Sequence, residues 1–177
     1  VGYTSDVLND CVADTAFGLM LDIGRGLSAA DRFVRDKKWS TTTFPLGFKV
    51  SGAKLGIVGM GRIGRTIAKR ATGFDMEIRY HARNPVTDVT WAHVPSLLEL
   101  AKWSDFLIVI TAGGSETKHL INADVLSALG PQGFLINVAR GSVVDEIALM
   151  EALEKKTIAG AGLDVFANEP HVPERLM

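Results

Sequence analysis

A single cysteine, Cys11, leaves this 177-residue chain unable to form an internal disulfide, which fits a reducing compartment and points to the cytoplasm. Neither sign of charge is in excess. Lysine and arginine number 19 against 20 acids, a net charge of -1, so there is no field to gather nucleic acid or an anionic membrane. No apolar run approaches the ~20 residues of a membrane span, and the opening residues hold neither the apolar core nor the cleavage site of a secretory signal. Internal repeats and low-complexity tracts are also missing. What is there is an ordinary globular composition, 47% hydrophobic and 22% charged, long enough for one domain with a sizeable core. The chain starts at Val1 and ends at Met177 without a closing helix or strand, so a piece of a longer protein is expected.

Between Val7 and Asp36 apolar residues recur at helical spacing: Leu8, Val12, Leu19, Ile23 and Leu27 fall near one face. This predicts one long helix, or two with a bend near Gly24 or Gly26. Its apolar stripe reads first as packing on the rest of the domain, and second as an interdomain or subunit contact. Trp39 to Ser51, with Pro45 and Gly47, reads as a connecting loop. From Ala53 onward short apolar runs alternate with helical stretches. Strands are expected at Lys54–Val58, Met76–Tyr80, Phe106–Ile110, Phe134–Val138 and Ala159–Leu163. Helices are expected near Arg62–Ala71, Ser96–Lys102, Ala123–Ala128 and Asp145–Lys155. Strands apolar on both faces and alternating with helices predict an α/β fold with a doubly wound parallel sheet, the Rossmann arrangement.

Gly59-Met60-Gly61-Arg62-Ile63-Gly64 follows the first of these strands and opens a helix. In that setting the three glycines have separate uses: a tight turn, close approach of a pyrophosphate, and close packing of helix on strand. The helix N-terminus offers N–H groups and a partial positive charge to phosphate, and Arg62 can add a cation. A turn that needs its glycines for shape alone is the competing reading. An NAD site usually carries an acid at the end of the second strand. Here the strand ends Arg79-Tyr80-His81-Ala82-Arg83-Asn84-Pro85, with Asp75 and Glu77 at its opposite end. Arg83 has a guanidinium fork suited to a 2'-phosphate, so NADP(H) is favoured and NAD(H) stays possible. A solvated loop arginine is the other reading of Arg83.

Further strand ends carry Thr111-Ala112-Gly113-Gly114, Ala139-Arg140-Gly141 and Asp164. Arginine beside a nicotinamide can hold a carboxylate through two parallel hydrogen bonds. Taken alone, Arg140 reads equally as a surface salt-bridge former, Asp164 as a cap, and Glu169-Pro170 as loop punctuation.

Taken together, from about Val7 onward, these segments resemble the D-isomer-specific 2-hydroxyacid dehydrogenases, and within them the glyoxylate/hydroxypyruvate and hydroxyphenylpyruvate reductase branch. The matching stretches are Val12-Ala13-Asp14, Gly56 to Gly64, Gly113-Gly114 through Glu116-Thr117, Asn137 to Gly141, Asp145-Glu146, Gly162 to Phe166 and Asn168-Glu169-Pro170. The resemblance implies that Arg140 binds the substrate carboxylate and polarises the keto oxygen. It makes Glu169 the acid that pairs with a catalytic histidine. Asp164 becomes the nicotinamide-side aspartate, and Thr111, Val138 and Ala139 line the cofactor beside Gly59, Gly61, Arg62, Ile63 and Gly64. Arg83 and Asn84 match the 2'-phosphate site of NADPH-preferring members. The catalytic histidine is implied downstream of Glu169, in a Pro-His segment beyond Met177; His171 lies too near Glu169 to replace it. His81, His93 and His119 match no motif and read as solvated or packing residues.

The resulting expectation is a coenzyme domain over 1–177. Residues 1–40 are its interdomain and dimer helix region, 53–166 its Rossmann core, and 167–177 the start of a return to a substrate domain. The parent would move hydride from NADPH to a small 2-keto acid such as glyoxylate or hydroxypyruvate, giving a D-2-hydroxy acid, and would work as a homodimer. No metal is expected. The rival readings are a dinucleotide-sensing binding protein on the same fold, and an NAD-dependent relative acting on another acid such as phosphoglycerate or formate.

Overall fold

The computed structural model describes residues 7–177. The first six positions of the expected 1–40 region therefore lie outside the described residues. Six strands form one wholly parallel sheet: β1 (Lys54–Val58), β2 (Glu77–His81), β3 (Ala92–His93), β4 (Phe106–Val109), β5 (Phe134–Asn137) and β6 (Gly160–Leu163). Their order across the sheet is β3-β2-β1-β4-β5-β6, the doubly wound arrangement, with its reversal between β1 and β4. Five strands match the expected ones to within a residue at either end. The sixth, β3, was not expected. It is only two residues at the sheet edge, held by Val94 N–H donating to the Tyr80 carbonyl (2.7 Å), too short to show alternation.

The helices are α1 (Asn9–Arg25), α2 (Leu27–Arg35), α3 (Arg62–Ala71), α4 (Leu97–Trp103), α5 (Ala123–Leu129) and α6 (Glu146–Glu154). Side-chain caps start three of them, at Ser96, Asn122 and Asp145, each an oxygen-bearing residue accepting first-turn N–H groups. The sheet is buried on both faces. One layer gathers Leu55, Ile57, Ile67, Ile78 and Tyr80 with α1 and α3. The other gathers Leu107, Val109, Leu126, Leu135 and Leu149 with α4, α5 and α6. Phe48, from the loop after α2, closes the first layer with Phe106 and Phe134, their ring centroids 5.0–5.6 Å apart.

The first segment is two helices, broken at Gly26 in the left-handed region (φ 66°). Gly26 N–H still closes α1 on the Asp22 carbonyl (2.7 Å), while the Asp22 carboxylate accepts from Ser28 N–H and Oγ–H (2.6 and 2.8 Å) and starts α2. The expected stripe needs correction. Leu8 and Leu27 are exposed, and Val12, Leu19 and Ile23 are only partly buried. The buried stripe is Ala13, Ala16, Phe17, Met20 and Gly24. Large and small residues share this face, and glycine falls where α1 lies close on the sheet: a Cβ at Gly24 would stand 3.1 Å from the Phe106 ring. From the other side, a Cβ at Gly162 of β6 would stand 3.0 Å from Leu19 Cβ. Arg70 of α3 bonds Asp10 (3.0 Å) and Asp14 (2.7 Å) of α1, which gives Asp14 its role. In contrast, α2 buries none of its residues.

Candidate functional site

Gly59 directly follows β1 at the reversal of strand order, with φ of 107° that only glycine adopts without strain. Its backbone is also crowded: a Cβ would lie 2.8 Å from the Ile110 carbonyl. Gly64, in the first turn of α3, is more constrained, since its Cβ would lie 2.1 Å from the Gly59 carbonyl. This contact lets helix pack on strand. Gly61 differs from both. It has an ordinary extended backbone, and a Cβ there would meet no protein atom within 4 Å. Its missing side chain leaves open space, and no side chain caps α3. Open space before an uncapped helix N-terminus fits a pyrophosphate, so the turn fits a dinucleotide.

Two clefts meet at this turn and share the Thr111–Gly114 segment as a common wall. The larger, about 1090 Å³, is lined by Gly61, Arg62, Ile63, Gly64, Val138, Ala139, Arg140 and Glu169 among others. The smaller, about 490 Å³, is lined by Gly59, His81, Arg83, Glu116 and neighbours. Of the expected site residues, Asn84 and Asp164 line neither cleft. Both are exposed; Asp164 follows β6 and its N–H donates to the Asn137 carbonyl (3.0 Å).

In the larger cleft Arg140 is set by neighbours that sequence reasoning did not single out. Asn137, the last residue of β5 and 1% exposed, clamps the turn with its side chain. Its Nδ2–H donates to the Arg140 carbonyl and its Oδ1 accepts from Ala139 N–H, both at 3.1 Å. An amide ending an otherwise apolar strand was the available signal. The Arg140 stem lies over Gly113, where a Cβ would stand 2.8 Å from Cγ. One Nη1–H donates to the Ala139 carbonyl (2.6 Å), and the rest of the guanidinium has no protein partner among the described residues. At Gly141 a Cβ would sit 1.9 Å from the Phe166 carbonyl carbon and 2.3 Å from Ala167 N. That crossing carries Glu169 to the same cleft as Arg140. Glu169 Oε1 accepts from Phe166 N–H (3.0 Å), and Glu146 Oε1 accepts from Ala167 N–H (2.6 Å), so two carboxylates hold the crossing segment.

Across the smaller cleft Arg83 Nη1 pairs with Glu116 Oε2 at 2.6 Å. The two side chains are 85% and 74% exposed, so water screens the pair and it is weakly held. The loop that carries Arg83 is pinned from behind. Tyr80 Oη accepts from Val86 N–H (2.8 Å), and Arg65 of α3 grips Asp88 with two bonds, one of 2.7 Å. The Arg65 hydrogen bond and charge hold the fully exposed Asp88 carboxyl below the usual aspartate range. Among the described residues no group of three or more metal-ligating side chains occurs, and no helix is long and apolar enough to cross a membrane.

A family model described as D-isomer specific 2-hydroxyacid dehydrogenase, NAD binding domain, matches residues 17–177. The chain is 47% identical over 172 residues to 2-ketogluconate reductase of Gluconobacter oxydans, covering 97% of this chain and 56% of that protein. It is 46% identical over 173 residues to glyoxylate/hydroxypyruvate reductase A of Arabidopsis thaliana, covering 98% and 55%. It superposes on the NADPH-dependent glyoxylate/hydroxypyruvate reductase of Sinorhizobium meliloti in complex with NADP and malonate. There the TM-score is 0.93 and the identity 50%, over 98% of this chain and 55% of that one. The chain therefore spans about half the length of these relatives.

Proposed function

The chain belongs to the D-isomer specific 2-hydroxyacid dehydrogenases, as their NAD binding domain, and on that premise we propose that its parent reduces small 2-keto acids with NADPH. The carrying observation is that Arg140 and Glu169 share one cleft with the glycine turn of a dinucleotide site. Nicotinamide belongs in the larger cleft and the adenosine ribose in the smaller, with the pyrophosphate between them at Gly61 and the start of α3. When bound, the reduced nicotinamide supplies a hydride.

The rest of the chemistry falls to side chains. Arg140 takes the substrate carboxylate with its unpartnered N–H groups and directs positive charge at the keto oxygen. The carbonyl carbon then gains the hydride and the oxygen gains a proton, giving a 2-hydroxy acid. That proton comes from a histidine outside residues 1–177, held charged by Glu169. Thr111, Val138 and Ala139 wall the nicotinamide side. Asp164, exposed just after β6, lies outside the lining of that cleft and is given no part in holding the carboxamide. Arg83, with Asn84 beside it, receives the 2'-phosphate, which supports NADPH over NADH. The names of the relatives favour glyoxylate and hydroxypyruvate as substrates. A homodimer is supported by α2 and the loop after it, where Leu27, Val34, Trp39 and Leu46 stand exposed. The one cysteine, Cys11, is exposed and free, which supports a cytoplasmic setting.

The test is to follow oxidation of NADPH by the full-length protein with glyoxylate and hydroxypyruvate, beside residues 1–177 alone. Turnover by the former, with dinucleotide binding but no turnover by the latter, is expected. Strong reduction by the 177-residue chain would overturn the assignment of the proton donor.

A further inference from the structure

Glu146 opens α6 directly after its capping residue, Asp145, and that turn is anchored. Asp145 N–H donates to the Ile121 carbonyl (2.9 Å), and Asp145 Oδ1 accepts from Ile147 and Ala148 N–H, both at 3.1 Å. Leu149, Met150 and Ala152 bury the helix behind it. From this fixed start Glu146 Oε1 accepts from Ala167 N–H at 2.6 Å, 21 residues along the chain. Ala167 is exposed, so water would satisfy its N–H if the carboxylate were gone, and the bond adds little to stability. What it fixes is direction. Glu169 Oε1 bonds Phe166 N–H three residues back, which shapes the loop without tying it to anything else. Packing at Gly141 lets the loop cross but has no directional grip. Among the described residues, the Glu146 bond is the one hydrogen bond that joins segment 165–169 to the rest of the domain.

We propose that Glu146 is a positioning residue for Glu169, holding its loop so that the Glu169 carboxylate meets the histidine that enters from outside residues 1–177. The inference rests on the proposed pairing of Glu169 with that histidine. One short stretch then serves both sides of the cleft. Arg140 lines it, Gly141 makes room for the crossing chain, and Glu146 holds that chain in place. Glu146 itself lines neither cleft. Its removal therefore leaves the glycine turn and Arg140 where they are and frees the Glu169 loop alone. Proton transfer loses its alignment, while cofactor and keto-acid binding keep theirs.

The experiment compares Glu146→Ala, Glu146→Gln, Glu169→Gln and the double variant Glu146→Ala with Glu169→Gln in the full-length protein, using NADPH and glyoxylate. Glu146→Ala should lower kcat about tenfold, with KM, the NADPH dissociation constant and the melting temperature near wild type. Glu146→Gln keeps an oxygen that can accept from Ala167 N–H and should recover most of that loss. Glu169→Gln keeps the bond to Phe166 but removes the charge, and should lower kcat about a hundredfold. A residue that acts through Glu169 has little left to lose once that charge is gone. Adding Glu146→Ala to Glu169→Gln should therefore cost less than about twofold more. A tenfold loss in both backgrounds, or full activity in Glu146→Ala, overturns the proposal and leaves the pairing of Glu169 standing. Wild-type kcat in Glu169→Gln overturns the pairing, and the proposal with it. Hydrogen exchange of the wild type needs no variant: relative to intrinsic rates, Ala167 N–H should exchange more slowly than Asn168 N–H, which has no partner among the described residues. Equally fast exchange at the two positions would also overturn the proposal.

Discussion

Replacing Asn137 with alanine removes both bonds that hold the turn between β5 and Arg140. Each is a neutral hydrogen bond, worth about 0.5–1.5 kcal/mol net. The larger effect is on the partner left behind. Ala139 is 2% exposed, so water cannot replace Oδ1 on its N–H, and an unmet buried donor costs about 1–3 kcal/mol. The Arg140 carbonyl is on an exposed residue and can find water. The sum is a loss of roughly 2–4 kcal/mol, or about 4–16 °C in melting temperature for a domain of this size. Function should fall in a particular pattern. Dinucleotide affinity should move little, since Gly59–Gly64 is untouched, while KM for the 2-keto acid should rise about tenfold or more as Arg140 loses its place. Asn137→Asp separates positioning from bulk. Its second oxygen faces the Arg140 carbonyl and can bond it only when protonated. Burial raises the folded-state pKa of this aspartate above its unfolded value. The variant should thus be near wild-type stability below the unfolded value and lose it as pH rises through the raised one. Urea denaturation across pH and steady-state kinetics measure both effects. A loss under about 0.5 kcal/mol with unchanged KM would refute the clamp.

Gly61→Ala and Gly64→Ala should part company. The first should keep its melting temperature within the range of surface changes, about 0.5 kcal/mol, yet weaken dinucleotide binding; the second should destabilise the fold, because a Cβ 2.1 Å from the Gly59 carbonyl forces helix from strand. Equal loss of stability in both, seen by thermal melts, would count against the division of labour. Arg83→Ala should weaken NADPH about tenfold and leave NADH unchanged; titration showing NADPH unaffected removes the 2'-phosphate assignment. Gly141→Ala should lower kcat/KM more than cofactor affinity, since its Cβ would push Phe166 and Ala167, and Glu169 with them, away from Arg140. The Arg65–Asp88 grip should persist above the ordinary aspartate pKa and be lost as pH falls through the depressed value. Hydrogen exchange at residues 83–89 should quicken there in the wild type and already at neutral pH in Asp88→Asn.

Much of this protein was legible in the order of its residues. Alternation of apolar strand runs with helical stretches was enough for a parallel α/β sheet, because strands buried on both faces leave that pattern locally. Gly59, Gly61 and Gly64 could be read as a dinucleotide turn, and the segments around Arg140 and Glu169 as those of 2-hydroxyacid dehydrogenases. Less accessible were features with no local signature. Strand β3 has two residues and exists only because Val94 reaches Tyr80. The buried stripe of α1 was misplaced because leucines outweigh alanines on a hydrophobicity count. Close approach to Phe106 excludes a side chain at Gly24, while Phe17 and Met20 are buried elsewhere on the same face.

What the residue order determined alone is the chemistry available: a phosphate-binding turn, an arginine for carboxylate, a glutamate, and an arginine in place of an acid after β2. Tertiary structure decided which of these meet. Strand order sets the segments after β1, β2 and β4 side by side, so His81, Arg83 and Glu116 share a cleft. Gly141 lets the chain after β6 cross the turn after β5, so Glu169 reaches the cleft of Arg140. Asn137 is bonded inward to hold that turn. Such contacts depend on which distant backbones cross and how closely, a property of the packed sheet that no local window of residues carries.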